Sequence, residues 1–226
     1  MLKRIVQALC TDLLLAAAAV ALAHEIGPLK PLEFVPPQPG SYSLQRIMHA
    51  PDGMVLGTDN KPQKLSHFTS GKVTLLSFIY SSCTDPKGCP LAYQVFNQLK
   101  QEIQNSPQLH DRVRFVSLSF DPRHDTPQVM KLYGSHAVNV KGVQWYFLTT
   151  RSPKELLPLL EGFGQDVLVA IDPETGKPAP ALSHVLKVFL IDKRGAIREI
   201  YTTSFLLPQI VLNDIQTLLL EDGRLY

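Results

Sequence analysis

The chain has 226 residues, 45% of them hydrophobic and 19% charged, and carries a formal net charge of +2. That length suits one domain large enough to bury a core, plus a leader. The composition excludes a coiled coil, a repeat array and a polar low-complexity tract, and the balanced charge leaves no basic footprint for a nucleic acid.

Residues 1–23 read as a secretory signal peptide: Lys3 and Arg4 form a basic start, Leu13 to Ala23 an apolar core, and Ala21-Leu22-Ala23 a small-x-small cleavage site. An uncleaved anchor is the alternative, since the stretch from Ile5 to Ala23 is nearly long enough to span a bilayer. Asp12 near its middle argues for cleavage, because a carboxylate there costs about 3 kcal/mol on insertion scales. Cys10 is not a lipidation site, as Leu9 stands where a small residue is required. Cleavage removes Lys3, Arg4, Asp12 and Cys10, so the net charge falls to +1 and the remaining cysteines are Cys83 and Cys89. An exported chain has then placed all its thiol chemistry in one loop.

Residues 24–40, HEIGPLKPLEFVPPQPG, are proline-rich and without periodicity, an extended lead-in or linker. Residues 41–226 form the domain. SYSLQRIM and MVLG, separated by HAPDG, predict a small N-terminal hairpin. Val73 to Tyr80 is a continuous apolar, β-rich run, as in a buried central strand. Pro90 opens a helix where its missing N–H costs nothing, with Leu91, Val95, Leu99 and Ile103 on one face. Val113 to Phe120 is the next strand, Thr126 caps and Pro127 begins a helix to about Tyr133, and Val143 to Leu148 is a third strand.

Ser152-Pro153-Lys154-Glu155 is a capping box opening a helix to Glu161. Val167 to Ile171 is a short edge strand, and Asp172 to Ser183 a loop rich in proline and glycine. Val185–Asp192 and Ala196–Tyr201 flank Lys193-Arg194-Gly195 as a hairpin, and Pro208 to Leu220 is a closing helix. A βαβ unit followed by ββα, with cysteines between the first central strand and its helix, predicts an α/β, thioredoxin-like fold. Its sheet is central and mixed, with flanking helices and the N-terminal hairpin.

The pair Cys83 and Cys89, five residues apart in SSCTDPKGCP, is open to three readings: a structural disulfide, a redox dithiol or a metal site. FIYSSC…CP, followed by SFDPRHDTPQVMKLY and SHVLKVFLID, resembles the Sco/SenC family of exported copper-handling proteins, from about Ser41 to Leu220. The resemblance implies that copper is bound by Cys83, Cys89 and His184. It also implies a metallochaperone rather than an enzyme, periplasmic or membrane-anchored facing the periplasm. The implied client is a respiratory copper protein such as cytochrome c oxidase subunit II; another periplasmic copper client fits as well. Two features depart from the family pattern: five residues rather than three separate the cysteines, and Ser183 stands where an acidic residue usually precedes the histidine.

The residue chemistry agrees. Two thiolates and an imidazole are a soft S₂N set that suits three-coordinate Cu(I) and can also hold Cu(II), whereas structural zinc takes a fourth protein ligand. A helix N-terminus beside Cys89 is expected to lower a thiol pKa there. The alternatives are a thiol–disulfide oxidoreductase using Cys83 and Cys89, and a binding module with a structural disulfide. Asp121 and Asp125 are expected to shape their loop and cap a helix, with support of a metal ligand as the lesser reading. His124 is expected to be solvated, Met48 and Met54 to pack, and His24, at the new N-terminus, to be at most a minor chelator.

Overall fold

The computed structural model describes residues 28–29, 31–137, 142–171 and 178–223. The leader, His24 and the first half of the Asp172–Ser183 segment lie outside them. Among the described residues no helix is long and apolar enough to cross a membrane.

The strands are β1 (Met48–His49), β2 (Met54–Leu56), β3 (Pro62–Lys64), β4 (Val73–Ile79), β5 (Val113–Ser119), β6 (Gln144–Leu148), β7 (Val167–Ile171), β8 (Pro178–His184), β9 (Val188–Ile191) and β10 (Ala196–Tyr201). The helices are α1 (Ser66–Thr69), α2 (Cys89–Gln104), α3 (Pro127–Tyr133), α4 (Pro153–Phe163) and α5 (Pro208–Glu221). Six strands form one sheet in the order β1-β10-β9-β4-β5-β6, while β2–β3 and β7–β8 are separate two-stranded ribbons. β4 pairs parallel with β5 and antiparallel with β9, and β5 pairs parallel with β6, so the sheet is mixed about β4.

All seven residues of β4 and of β5 are buried, which is why both read as unbroken apolar runs: each is covered on both faces. Alternation along the strands assigns the faces. On one, Phe115 and Trp145 stand opposite each other in register and meet Phe96 of α2. On the other, Phe78 and Phe189 meet Phe163 of α4. The layers are thus helix, sheet, helix. α2 buries Ala92, Val95, Phe96, Leu99 and Ile103, the i, i+3, i+4, i+7 stripe that drives it onto the sheet; Leu91 is only half-buried.

Two sequence expectations need correction. Met48–His49 does not pair with Met54–Leu56: β1 joins β10 in the main sheet, and the N-terminal hairpin consists of β2 and β3. The segment PQK of β3 carries no apolar alternation, and Pro62 and Lys64 are exposed, so no periodicity announces it. From Pro178 the segment read as loop is a strand, β8, paired with β7; edge strands tolerate its prolines. Met48 and Met54 are also exposed rather than packed.

Candidate metal centre

The chain leaves β4 at Tyr80 and enters α2 at Cys89. Two successive turns take up the residues between: Cys83 N–H donates to Tyr80 O at 3.2 Å, and Gly88 N–H to Asp85 O at 2.9 Å. The Asp85 carboxylate accepts from Lys87 N–H at 3.0 Å, the local bond that makes Asp a turn former. Asp85-Pro86-Lys87-Gly88 therefore folds the long spacing back on itself and returns Cys83 to Cys89. Gly88 is needed for closeness: a Cβ there would stand 3.3 Å from both Cys83 Sγ and Asp85 O.

A buried carboxylate anchors the start of the loop. Asp125, 1% exposed, accepts from Ser81 N–H at 3.0 Å, from the Ser81 hydroxyl, and from the Ser119 hydroxyl at 2.6 Å. Thr126, next in the chain, caps α3 by accepting from Val129 N–H at 3.4 Å. Asp125 thus ties the loop to the end of β5 and to the start of α3. Asp121 instead pairs with exposed His124, Nδ1 to Oδ2 at 2.7 Å.

His184 ends β8, and the fold carries it across to the cysteines. Its Nε2 lies 3.8 Å from Cys89 Sγ, and the donor atoms of Cys83, Cys89 and His184 all fall within 4.8 Å of one another. Nδ1 sits 3.3 Å from Leu182 O; a proton on Nδ1 satisfies that carbonyl and leaves the Nε2 lone pair facing the sulfurs. The rings of Phe120 and Tyr80 flank the imidazole, with centroids at 4.8 and 5.8 Å. Ser183, in register with Leu168, lies on the other face of the ribbon from His184.

The two thiols are free and unequal. Cys83, half-buried, is pushed down to about 5: the Cys89 thiol donates to its sulfur, outweighing burial, and the backbone N–H groups of Cys89 and Asp85 and the Tyr80 hydroxyl add to this. Cys89, 1% exposed, is pushed well up because its proton is held by Cys83 and its surroundings are apolar. The expectation of an acidified thiol at the helix start therefore moves from Cys89 to Cys83, since the hydrogen bond to Cys83, and then burial, keep the proton on Cys89. Burial, then the negative sulfur beside it, pushes the Tyr80 hydroxyl up to about 12. The set offers a thiolate, a second thiol that loses its proton to a metal, and an imidazole nitrogen, which fits a soft monovalent ion. Among the described residues it is the one group of three or more His, Cys, Asp or Glu side chains placed to hold a metal.

The roles of Phe120, Ser81 and Ser119 carry no signal in the sequence: Ser119 ends β5, Phe120 follows it and Ser81 opens the turn after β4, where an apolar or hydroxyl residue reads as ordinary packing.

Residues 56–220 match the family model described as SCO1/SenC. The apo Sco1 protein of Thermus thermophilus is similar at 22% identity with a TM-score of 0.61, over 79% of this chain and 95% of that one. ScoI of Bradyrhizobium japonicum, solved with copper bound, gives 18% identity and a TM-score of 0.57, over 74% and 98%. Yeast Sco1, also with copper bound, gives 16% and 0.56, over 74% and 88%. At these identities the likeness shows the fold. No curated protein matches the chain.

Proposed function

This chain belongs to the SCO1/SenC family, and from that premise we propose that it is an exported copper-binding metallochaperone holding copper through Cys83, Cys89 and His184. The observation that carries the reading is the convergence of two sulfurs and one imidazole nitrogen within 4.8 Å, from a loop and a ribbon far apart in sequence. Copper-bound relatives of the same fold support it. The client in this reading is a respiratory copper protein, cytochrome c oxidase subunit II. The leader delivers the domain to the periplasm, released or anchored. Anaerobic titration with Cu(I), desalting and metal quantification test the site. The reduced mature protein should retain about one copper per chain, and the Cys83→Ser, Cys89→Ser double variant none. Equal copper in parent and variant would sink the assignment.

The lowered Cys83 thiol favours a second reading, thiol–disulfide exchange, because a half-exposed thiolate backed by a buried thiol can attack a client disulfide and then be resolved. Fast insulin reduction with no copper transfer to an apo-oxidase fragment would promote this reading over the first.

A further inference from the structure

The histidine is held by the root of its ribbon, where Val167 packs against the core and one buried amide ties the two arms together. Gln165 is 3% exposed. Its place is set by the end of α4: Gly164, at φ 60°, turns the chain out of the helix, and Gln165 N–H donates back to Leu160 O at 2.8 Å. The Gln165 side chain then spends both hydrogens of its Nε2 on the two arms of the β7–β8 ribbon. One goes to Asp166 O, just before β7, at 3.2 Å; the other goes to Val185 O, just after His184, at 3.0 Å. Val167, the first residue of β7, is the register partner of His184. The amide therefore bridges the arms one residue outside the pair that contains the histidine.

The ribbon needs such a fastening. Among the described residues β7 and β8 pair only with each other, and a lone two-stranded ribbon is marginally stable in water. Its Leu168 and Val169 are exposed, and among its described residues only Val167 and Leu182 pack, partly buried, against the core. The imidazole reaches Cys89 only while the backbone of residues 184 and 185 stays in place. Lys187, whose ammonium donates to Gly164 O, holds the next residues of the chain, but that contact is exposed. The buried, doubly donating contact is that of Gln165.

We propose that Gln165 is a positioning residue for the metal centre: by clamping Val185 to Asp166 it fixes His184 Nε2 beside Cys89. This rests on the proposed copper reading. Residues supporting a metal ligand typically contribute 10- to 100-fold in affinity. Gln165→Met, similar in size and without donors, should weaken Cu(I) binding about 10-fold or more in competition titrations. On a His184→Ala background the same change should alter affinity less than about 2-fold, because coupled residues are not additive. In the copper-free protein, Gln165→Met should shift or broaden the His184 ring resonances while leaving those of the cysteine β-carbons in place. If Gln165→Met does not fold, Gln165→Asn, too short to reach both carbonyls, takes its place with the same expectations. Equal losses in both backgrounds, or unchanged affinity with unchanged ring resonances, overturn the proposal. Should the parent retain no copper, the copper reading falls and the ring resonances decide alone: changed, they sustain the positioning role, and unchanged, they overturn it.

Discussion

The two sulfurs of the site differ because a single proton lies between them in a partly dry setting. Cys83 accepts the Cys89 hydrogen and further backbone donors, so it is the thiolate, while Cys89 at the buried start of α2 keeps its proton. An ordinary cysteine near pKa 8.5 is under about 1% ionised at pH 6. Iodoacetamide at about pH 6 should therefore label Cys83 in the native protein and leave Cys89 unmodified until the chain is unfolded, as read by peptide mass mapping. Equal labelling of both would contradict the assignment. Sequence made the cysteines and the histidine visible as residue types, because few other side chains bind soft metals. It placed the lowered thiol at Cys89 rather than Cys83, since the actual ranking comes from a turn, Asp85 to Gly88, that returns one sulfur to the other.

Elements with a strong period were legible. β4 and β5 are covered on both faces and read as apolar runs, and α2, α3 and α4 announce themselves by Pro90, by Thr126-Pro127 and by Ser152-Pro153. β3 and β8 were not, because pairing with one neighbour on the surface demands no apolar alternation. The attachment of the lead-in was hidden for another reason: it depends on polar groups far apart in sequence. Asp214, buried on α5, accepts from the Tyr42 hydroxyl and the Tyr201 hydroxyl, each at 2.6 Å. Nearby, Gly40 N–H donates to Thr217 Oγ1 and Asn213 Nδ2 to Pro37 O. Burial raises the Asp214 pKa above its ordinary 3.8, against the lowering effect of the two hydroxyls. A carboxyl raised in the folded state binds protons more tightly there. Its contribution is full below the unfolded value and is lost as pH rises through the folded one. Urea unfolding from about pH 3 to about pH 7 should show the parent losing stability relative to Asp214→Asn as pH rises. Parallel profiles for the two proteins would show that Asp214 titrates alike in both states.

At the scale of the whole molecule, the site joins two parts of the fold that belong to different sheets. The cysteines belong to the β4–α2 junction, packed into the central sheet, whereas His184 ends a ribbon outside that sheet and lies 95 residues from Cys89. A metal bound by all three closes that gap, and a ligand that binds only the native state stabilises it by mass action, about 2.7 kcal/mol at 100 times Kd. For a domain of this size that is a rise in Tm of roughly 5–10 °C. Binding of copper by the unfolded cysteines would reduce the rise, so the comparison with a variant matters more than the absolute value. His184→Ala keeps both sulfurs but cuts the link to the ribbon. Without copper it should unfold near the parent temperature, since the core lies elsewhere and what is lost is the ring packing on Phe120 and Tyr80 and the imidazole's contacts with Leu182 O and Cys89 Sγ. With Cu(I) its Tm should rise by less than the parent's. Hydrogen exchange locates the difference: copper should slow exchange of the β7 and β8 amides in the parent and leave them unchanged in His184→Ala. An equal rise in both proteins, with ribbon exchange insensitive to copper, would mean that the metal is held by the cysteine loop alone and that His184 is a neighbour rather than a ligand.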